Sequence, residues 1–220
     1  MTPGAWPSPQ GPEYALVCDR RRSRRLLVVP ALFEAGNRLR RFTVEVMRRL
    51  DAAGVDGFLP DLPGTGESLA PLAAQTPASW RAAMRAAADH FAATAVLAIH
   101  GGALLAPPAL PGWRYAPADG AALLRPMLRA RVLASREAGA EETSAGLLEQ
   151  GRRAGLDLAG YALGAAFLAE FAVLEPETSG QTVITQDMIG GGGLWLRAEP
   201  GESREQADAL AAIVALGIGG

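Results

Sequence analysis

The sequence predicts an α/β protein built on a mostly parallel β-sheet with helices on both faces. Apolar segments of strand length recur at about residues 26–29, 55–59 and 95–99, and amphipathic segments with helical spacing separate them at about 38–52 and 77–91. The connections between these segments are short. Strands that alternate with helices in this way form parallel sheets, so the first half of the chain defines the fold class.

Local signals support both intervening helices. The first helix ends at Gly54 and has one apolar face, made of Leu39, Phe42, Val46, Met47 and Leu50. The second helix can be capped by Thr76, with Pro77 at its first position. Its predicted buried face consists of Trp80, Met84, Ala87 and Phe91.

The second half of the chain is predicted to be mainly helical. Helices are expected at Ala121–Ser135, Thr143–Gly151 and Gly164–Val173, a strand at Thr182–Gln186, and a further short strand at Leu194–Leu196. Ser203 begins a capping-box sequence that opens a last helix, with Ala207, Leu210, Ala211 and Val214 facing inward. We interpret residues 1–220 as a single domain with a helical insertion at about 117–175 and a shortened C-terminal half of the sheet.

Composition excludes several classes of function. The chain carries 49% hydrophobic residues and a net charge of -2, which does not suit a nucleic-acid-binding protein. All 21 basic residues are arginine, so a lysine Schiff base is excluded. The single cysteine, Cys18, permits neither an internal disulfide nor a cysteine-based zinc site, and we predict no metal and no cofactor.

Strands are also predicted at Tyr14–Asp19 and Arg25–Pro30, joined by a basic turn over residues 20–24. A run of arginines can bind nucleic acid or a membrane surface. No aromatic residue interrupts this run, which favours a solvated hairpin turn.

Membrane insertion is not expected. No apolar run is long enough to span a bilayer, and residues 1–12 lack the apolar core of a signal peptide. We therefore expect a cytoplasmic protein.

Three segments contain residues suited to a ligand site at the carboxyl edge of the sheet. Val28–Glu34 reads as a strand end followed by a loop, and Asp61–Ser68 has the pattern D-x-P-G-x-G-x-S. Ala98–Gly102 falls where a strand turns sharply into a helix, and its small residues suit such a turn. In α/β-hydrolases, these positions correspond to the oxyanion loop, the loop after the next strand and the nucleophile elbow.

A narrower resemblance covers roughly residues 25–175. The segments Pro30–Arg38, Asp61–Ser68, Gly101–Ala106, Leu123–Arg131 and Leu158–Leu163 resemble the exosortase A system-associated hydrolases. These are bacterial α/β-hydrolase-like proteins found beside exopolysaccharide and protein-sorting gene clusters. The resemblance implies an α/β-hydrolase fold and a small acyl or saccharide-linked ligand.

The sequence departs from that family at the residues that carry catalysis. The central elbow position is His100, where a serine, cysteine or aspartate is expected, and a histidine nucleophile needs an orienting partner. The only other histidine, His90, lies on the helix before the elbow strand. No histidine occurs near Leu194–Glu202, where a triad base should follow the last strand, so Asp187 has no histidine to orient.

The predicted site therefore consists of His100, in the doubtful role of nucleophile, and of a set of ligand-binding candidates. The candidates are Ala31, Leu32, Glu34, Asn37, Asp61 and Gly101. Each polar residue among them also has a structural interpretation. Glu34 and Asn37 suit the start of a helix, Asp61 can organise its own loop, and His100 can simply fill space at the turn.

Three hypotheses about function remain open at this point. The protein is a non-catalytic or strongly diverged member of the hydrolase fold that binds a small ligand or partner. Alternatively, it hydrolyses an ester, thioester or other acyl substrate through His100, Ser68 or another serine. A third reading is a structural subunit, and the shortened edge of the sheet predicts a homodimer.

Overall fold

A seven-stranded sheet organises the protein. The computed structural model describes residues 1–177 and 180–218, and within these the strands lie in the order β1-β2-β4-β3-β5-β6-β9. The strand bounds are β1 Thr2–Ser8, β2 Gly11–Cys18, β3 Arg25–Val29, β4 Asp56–Pro60, β5 Ala95–Ile99, β6 Gly112–Tyr115 and β9 Gln181–Ile184. Strands β4, β3, β5, β6 and β9 are parallel, whereas β1 and β2 pair antiparallel to their neighbours. The mostly parallel sheet predicted from the sequence is confirmed.

Helices cover both faces of this sheet. They are α1 Phe33–Ala52, α2 Pro77–His90, α3 Gly120–Glu137, α4 Ser144–Ala154, α5 Ala165–Phe171, α6 Gln186–Ile189 and α7 Arg204–Gly217. Alternate residues of β3 point to opposite faces, so Leu27 and Val29 join a core with α2, α3 and α5. Leu26 and Val28 join a second core with α1 and α7.

Local capping explains where two of the helices begin. The Thr76 hydroxyl accepts a hydrogen bond from the Ser79 amide, and Ser79 returns one to the Thr76 amide, with Pro77 at the first helical position. Ser203 accepts a hydrogen bond from the Gln206 amide at the start of α7. The predicted inward residues of α7, namely Ala207, Leu210, Ala211 and Val214, are all buried.

Four local predictions need correction. The predicted hairpin between Tyr14 and Pro30 does not form, because β4 lies between β2 and β3. Strands β1 and β6 were not predicted, and Leu194–Leu196 forms a 3₁₀ helix in place of a strand. Helix α1 begins at Phe33, one turn before the predicted start.

The segment between β6 and β9 contains α3, α4, a small hairpin and α5. The hairpin consists of β7 Leu156–Leu158 and β8 Tyr161–Leu163, joined at Ala159 and Gly160, which both have positive φ angles. The insertion was predicted to follow the third parallel strand along the chain. In the structure it follows the fourth, β6. In the described part of the chain, the sheet ends at β9, and no helix is both long and apolar enough to cross a membrane.

The basic turn before β3 forms an ion-pair network. Asp56 at the start of β4 is fully buried and accepts hydrogen bonds from the Arg22 amide at 2.8 Å, from Arg22 Nη1 at 3.2 Å and from Arg25 Nη1 at 3.4 Å. Arg20 and Arg22 also bond Asp51, and Arg25 bonds Asp19. These arginines therefore hold the turn against the end of α1 and the start of β4.

Replacing Asp56 with alanine should lower the free energy of unfolding by about 3 kcal/mol, because removal of one partner leaves Arg22 and Arg25 without their buried carboxylate. The measurement is urea-induced unfolding followed by circular dichroism. Asp208→Ala is the matched control, since Asp208 also pairs with an arginine, Arg49, but is largely exposed. Its loss should stay below about 1 kcal/mol. Equal losses for the two variants would contradict the role assigned to Asp56.

Candidate ligand-binding cavity and the elbow after β5

Strained backbone marks the carboxyl edge of the sheet. Phe33, His100 and Ala116 follow β3, β5 and β6, and their φ angles are 54°, 51° and 44°. Positive φ is uncommon outside glycine and is tolerated where the surroundings impose it. Because parallel strands end at one edge, these three turns lie along the same side of the molecule, where α/β folds bind ligands.

The turn after β5 has the geometry of a nucleophile elbow. A Cβ atom at Gly102 would lie 2.4 Å from the carbonyl oxygen of Pro30, so residue 102 can only be glycine. A Cβ atom at Gly101 would lie 2.6 Å from Leu123 Cδ1 and 3.2 Å from Leu32 Cγ. The space beside the elbow is therefore already filled by leucine side chains.

His100 itself is enclosed. Its side chain is 9% exposed, its ring centroid lies 4.8 Å from that of Trp195, and its Nδ1 atom is buried without a hydrogen-bond partner. Burial lowers the pKa of His100 to about 4, so the imidazole is neutral at pH 7. A histidine nucleophile would need an orienting group, and Nδ1 has none among the described residues.

Trp195 occupies the segment in which a triad base would be expected. It lies in the 3₁₀ helix Leu194–Leu196, and its carbonyl oxygen accepts a hydrogen bond of 2.9 Å from Arg38 Nη1 on α1. Asp187 follows β9 in α6 and is exposed. The elbow is thus covered by an indole ring in place of an imidazole.

A cavity of about 540 Å³ lies to one side of the elbow. Its walls come from the start of α1, from the loop after β4 and from the tip of the β7–β8 hairpin. The residues lining it are Pro30, Ala31, Leu32, Phe33, Gly36, Asn37, Arg40, Thr43, Leu59, Asp61, Leu62, Gly64, Thr65, Gly66, Glu67, Leu72, Trp80, Gly160, Tyr161 and Ala162. This volume lies within the range of small-molecule sites.

The structure separates the predicted site residues into two groups. Ala31, Leu32, Asn37 and Asp61 line the cavity. His100, Glu34 and Gly101 do not: His100 and Gly101 lie in the buried elbow, and Glu34 is exposed and pairs with Arg38. The ligand-binding role of the first group stays a prediction.

Helical spacing explains which residues of α1 reach the cavity. Gly36 and Asn37 lie three and four residues after Phe33, and Arg40 lies four and three residues after them, so these residues share one face, whereas Glu34 lies on another. Arg40 was not predicted as a site residue, although its position three residues after Asn37 places it on the same face. Tyr161 was also missed as a site residue, because it comes from the distant hairpin.

Asp61 organises the loop after β4, which forms one wall of the cavity. Asp61 is 4% exposed; its Oδ1 accepts a hydrogen bond of 3.1 Å from Arg40 Nη1, and its Oδ2 accepts one of 3.0 Å from the Glu67 amide. A Cβ atom at Gly66 would lie 2.4 Å from Asp61 Oδ2. The structural interpretation of Asp61 therefore holds, and the same residue contacts the cavity.

Ser68 and Glu13 fix the far end of that loop. The Ser68 hydroxyl accepts hydrogen bonds from the amides of Gly64 and Ala70 and donates one of 2.9 Å to Glu13 Oε1. Glu13 is 5% exposed and its Oε2 atom has no partner among the described residues. Burial, with a smaller contribution from Asp61, raises the pKa of Glu13, and the hydrogen bond from Ser68 opposes this.

Aromatic rings close the cavity on the side of the insertion. The ring of Phe33 packs edge-on against Tyr161, Phe167 and Phe171 at centroid distances of 5.2, 6.1 and 5.6 Å. Asn37 Nδ2 donates a hydrogen bond of 3.2 Å to the Tyr161 hydroxyl. The hairpin is thereby tied to α1 across the cavity mouth.

Within residues 1–177 and 180–218, no three histidine, cysteine, aspartate or glutamate side chains lie close enough together to hold a metal ion.

Several solved structures are similar to this chain along its whole length. A putative hydrolase from Agrobacterium vitis S4 matches 99% of this chain and 98% of its own, with a TM-score of 0.53 and 15% identity. Alpha/beta hydrolase domain-containing protein 10 from mouse matches 100% and 99%, with a TM-score of 0.61 and 13% identity. The bottromycin epimerase BotH, solved in complex with bottromycin A2, matches 100% and 99%, with a TM-score of 0.55 and 17% identity.

The chain has the α/β-hydrolase fold. At these identities, the similarity establishes the fold alone. No protein-family profile matches the chain, and no curated protein is similar to it in sequence.

The burial of His100 predicts a pH-dependent loss of stability. The native imidazole takes up a proton only near pH 4, whereas in the unfolded chain it does so near its ordinary value of 6.5. The contribution of the neutral His100 side chain to the free energy of unfolding is fully present above about pH 6.5. It falls by up to about 3 kcal/mol as the pH is lowered to about 4. In His100→Asn, which suits a positive φ angle, this part of the pH dependence should disappear.

Urea unfolding at several pH values between 4 and 7 measures the effect. His90→Asn serves as the matched control, because it removes the other histidine of the sequence at an exposed position. A wild-type profile identical to that of His100→Asn would show that His100 is not enclosed in solution.

Proposed function

We propose that this protein binds a small ligand in the cavity between α1, the loop after β4 and the β7–β8 hairpin, without using the elbow for catalysis. The observation that carries the proposal is the position of His100. It is buried beneath Trp195 and outside the cavity, while the cavity beside it has the size of a ligand site.

The chemistry of acyl transfer supports this division. A nucleophile must be accessible to substrate and needs an adjacent base, and neither condition is met by a neutral imidazole with an unpartnered Nδ1. The fold is also not restricted to hydrolysis, since one protein of similar structure is named as an epimerase. A non-hydrolytic role is therefore compatible with this scaffold.

The resemblance to exosortase A system-associated hydrolases suggests the setting. In that setting, the ligand would be a small acyl or saccharide-linked molecule from exopolysaccharide or protein-sorting chemistry. A cytoplasmic location fits, because the single cysteine, Cys18, is free and buried and needs no oxidising compartment.

Hydrolysis of an ester, thioester or other acyl substrate is the alternative function. It would proceed through His100 or through a serine brought close by the fold. Ser68 is a poor candidate, because its hydroxyl already donates to Glu13 and accepts two amide hydrogen bonds.

We expect the purified protein to show no turnover of short-chain p-nitrophenyl esters above the uncatalysed rate, because the elbow offers no activated nucleophile. The measurement is release of p-nitrophenol, with His100→Ala and Ser68→Ala compared with the wild type. Clear activity that either substitution abolished would favour the hydrolase alternative and assign the nucleophile.

A homodimer formed through the β9 edge is the second part of the proposal. In the described sheet, β9 has a neighbour on one side only, and an unpaired edge is normally covered or paired. Exposed apolar side chains lie on β9 and on the helices that follow it in the chain, at Val183, Met188 and Leu216. Asp187 is the only charged residue between Gly180 and Leu196.

Sedimentation equilibrium at tens of micromolar protein should therefore give a mass near twice 22.9 kDa. Val183→Lys places a charge on the edge strand and should shift the protein toward monomer. A monomer for the wild type at that concentration would rule out this assembly.

A further inference from the structure

The cavity is lined by apolar side chains and by side chains that donate hydrogen bonds. The lining residues Phe33, Leu62, Leu72 and Trp80 present mainly apolar surface. The polar atoms nearby are already satisfied. Trp80 Nε1 donates to the Pro63 carbonyl at 2.9 Å, and the Thr65 hydroxyl donates to the Leu62 carbonyl at 2.9 Å. These apolar residues suit the apolar body of a ligand.

Two other lining residues, Arg40 and Tyr161, offer hydrogen-bond donors. Arg40 uses Nη1 for Asp61, and its Nε and Nη2 atoms have no partner in residues 1–177 and 180–218. The Tyr161 hydroxyl accepts from Asn37 and keeps its own proton to donate, since burial raises its pKa.

The acidic side chains near Arg40 are either paired with other groups or exposed to water. Both oxygens of Asp61 are engaged, one by Arg40 and the other by the Glu67 amide. Glu34 is paired with Arg38 on the exposed side of α1, and the side chain of Glu67 is exposed to water. The carboxylates of Asp61 and Glu34 are therefore already paired, and Glu67, which also lines the cavity, is solvated.

Building on the proposed ligand-binding function, we propose that the cavity binds an amphiphilic monocarboxylate. Its carboxylate accepts hydrogen bonds from Arg40 and Tyr161, and its hydrocarbon body packs against Phe33, Leu62, Leu72 and Trp80. The guanidinium fork matches a carboxylate geometrically, which makes Arg40 the specificity-determining residue for the charged head.

The test compares octanoate with 1-octanol, which shares the hydrocarbon chain but has no charge. Isothermal titration calorimetry should show octanoate binding at one site per chain, and octanol binding about tenfold or more weakly. The indole N–H resonance of Trp80 should shift on binding. This resonance is assigned among the four tryptophans by its absence in Trp80→Phe, and it places the ligand in the cavity.

Two arginine variants distinguish loss of the proposed contact with the carboxylate from loss of a positive charge elsewhere on α1. Arg40→Gln keeps an amide N–H that can donate to Asp61, and it should weaken octanoate binding by about tenfold or more while leaving octanol binding unchanged. Arg41→Gln is the matched control. Arg41 is the next residue of α1 and also pairs with a carboxylate, Glu202, but it does not line the cavity, so its loss should leave both affinities unchanged.

The outcomes distinguish this inference from the function on which it rests. Equal affinity for octanol and octanoate, or an unchanged affinity in Arg40→Gln, would overturn the carboxylate assignment while a ligand still occupied the cavity. If neither amphiphile binds but neutral 4-nitroanisole shifts the Trp80 resonance, the carboxylate class is wrong and ligand binding stands. If none of the three compounds shifts that resonance, both the inference and the proposed function fail.

Discussion

The close approach of the elbow to the end of β3 is the constraint on which the carboxyl edge of the sheet depends. Strands β3 and β5 are parallel neighbours, so the turn after β5 passes directly over the carbonyl oxygens of Val29 and Pro30. Only a glycine at residue 102 fits there, and the turn is completed by a positive φ angle at His100. The same contact fixes where β3 ends and α1 begins, and therefore where Phe33 and the cavity wall lie.

This arrangement separates the elbow from the open space beside it. Leu32 and Leu123 fill the volume around Gly101, and Trp195 covers His100. The cavity instead extends toward β4, where Asp61 and Ser68 hold a glycine-containing loop in place through backbone amides. The strained turn after β5 and the cavity are thus separate structures.

The predictable part of the fold is the part that local sequence controls. Strands β3, β4 and β5 are short apolar runs, α1 and α2 have clear periodicity, and Thr76 and Pro77 give α2 its start, so all were predicted within a few residues except the first turn of α1. Strand β1 was missed because it contains Pro3, Gly4 and Pro7, which an edge strand paired on one side tolerates. Strand β6 has only four residues and includes the buried Arg114. The place of β4 between β2 and β3 depends on pairing between distant segments, which no local pattern encodes.

Some residues of the candidate site could also be predicted from local sequence, whereas others could not. Asn37 and Asp61 lie in segments with recognisable loop and helix-start patterns, and both line the cavity. Tyr161 and Glu13 reach the site or its loop only through the tertiary fold, one from the insertion and the other from β2. The covering of His100 by Trp195 likewise joins residues 95 positions apart in the chain.

The packing around residue 100 also bears on the history of the molecule. Suppose that an ancestor carried a serine at this turn. Restoring that serine alone would place its hydroxyl beneath an indole ring, with no imidazole in the segment after β9 to accept its proton. A return to hydrolysis would require changes at several contacting positions at once, and none of them would be useful without the others.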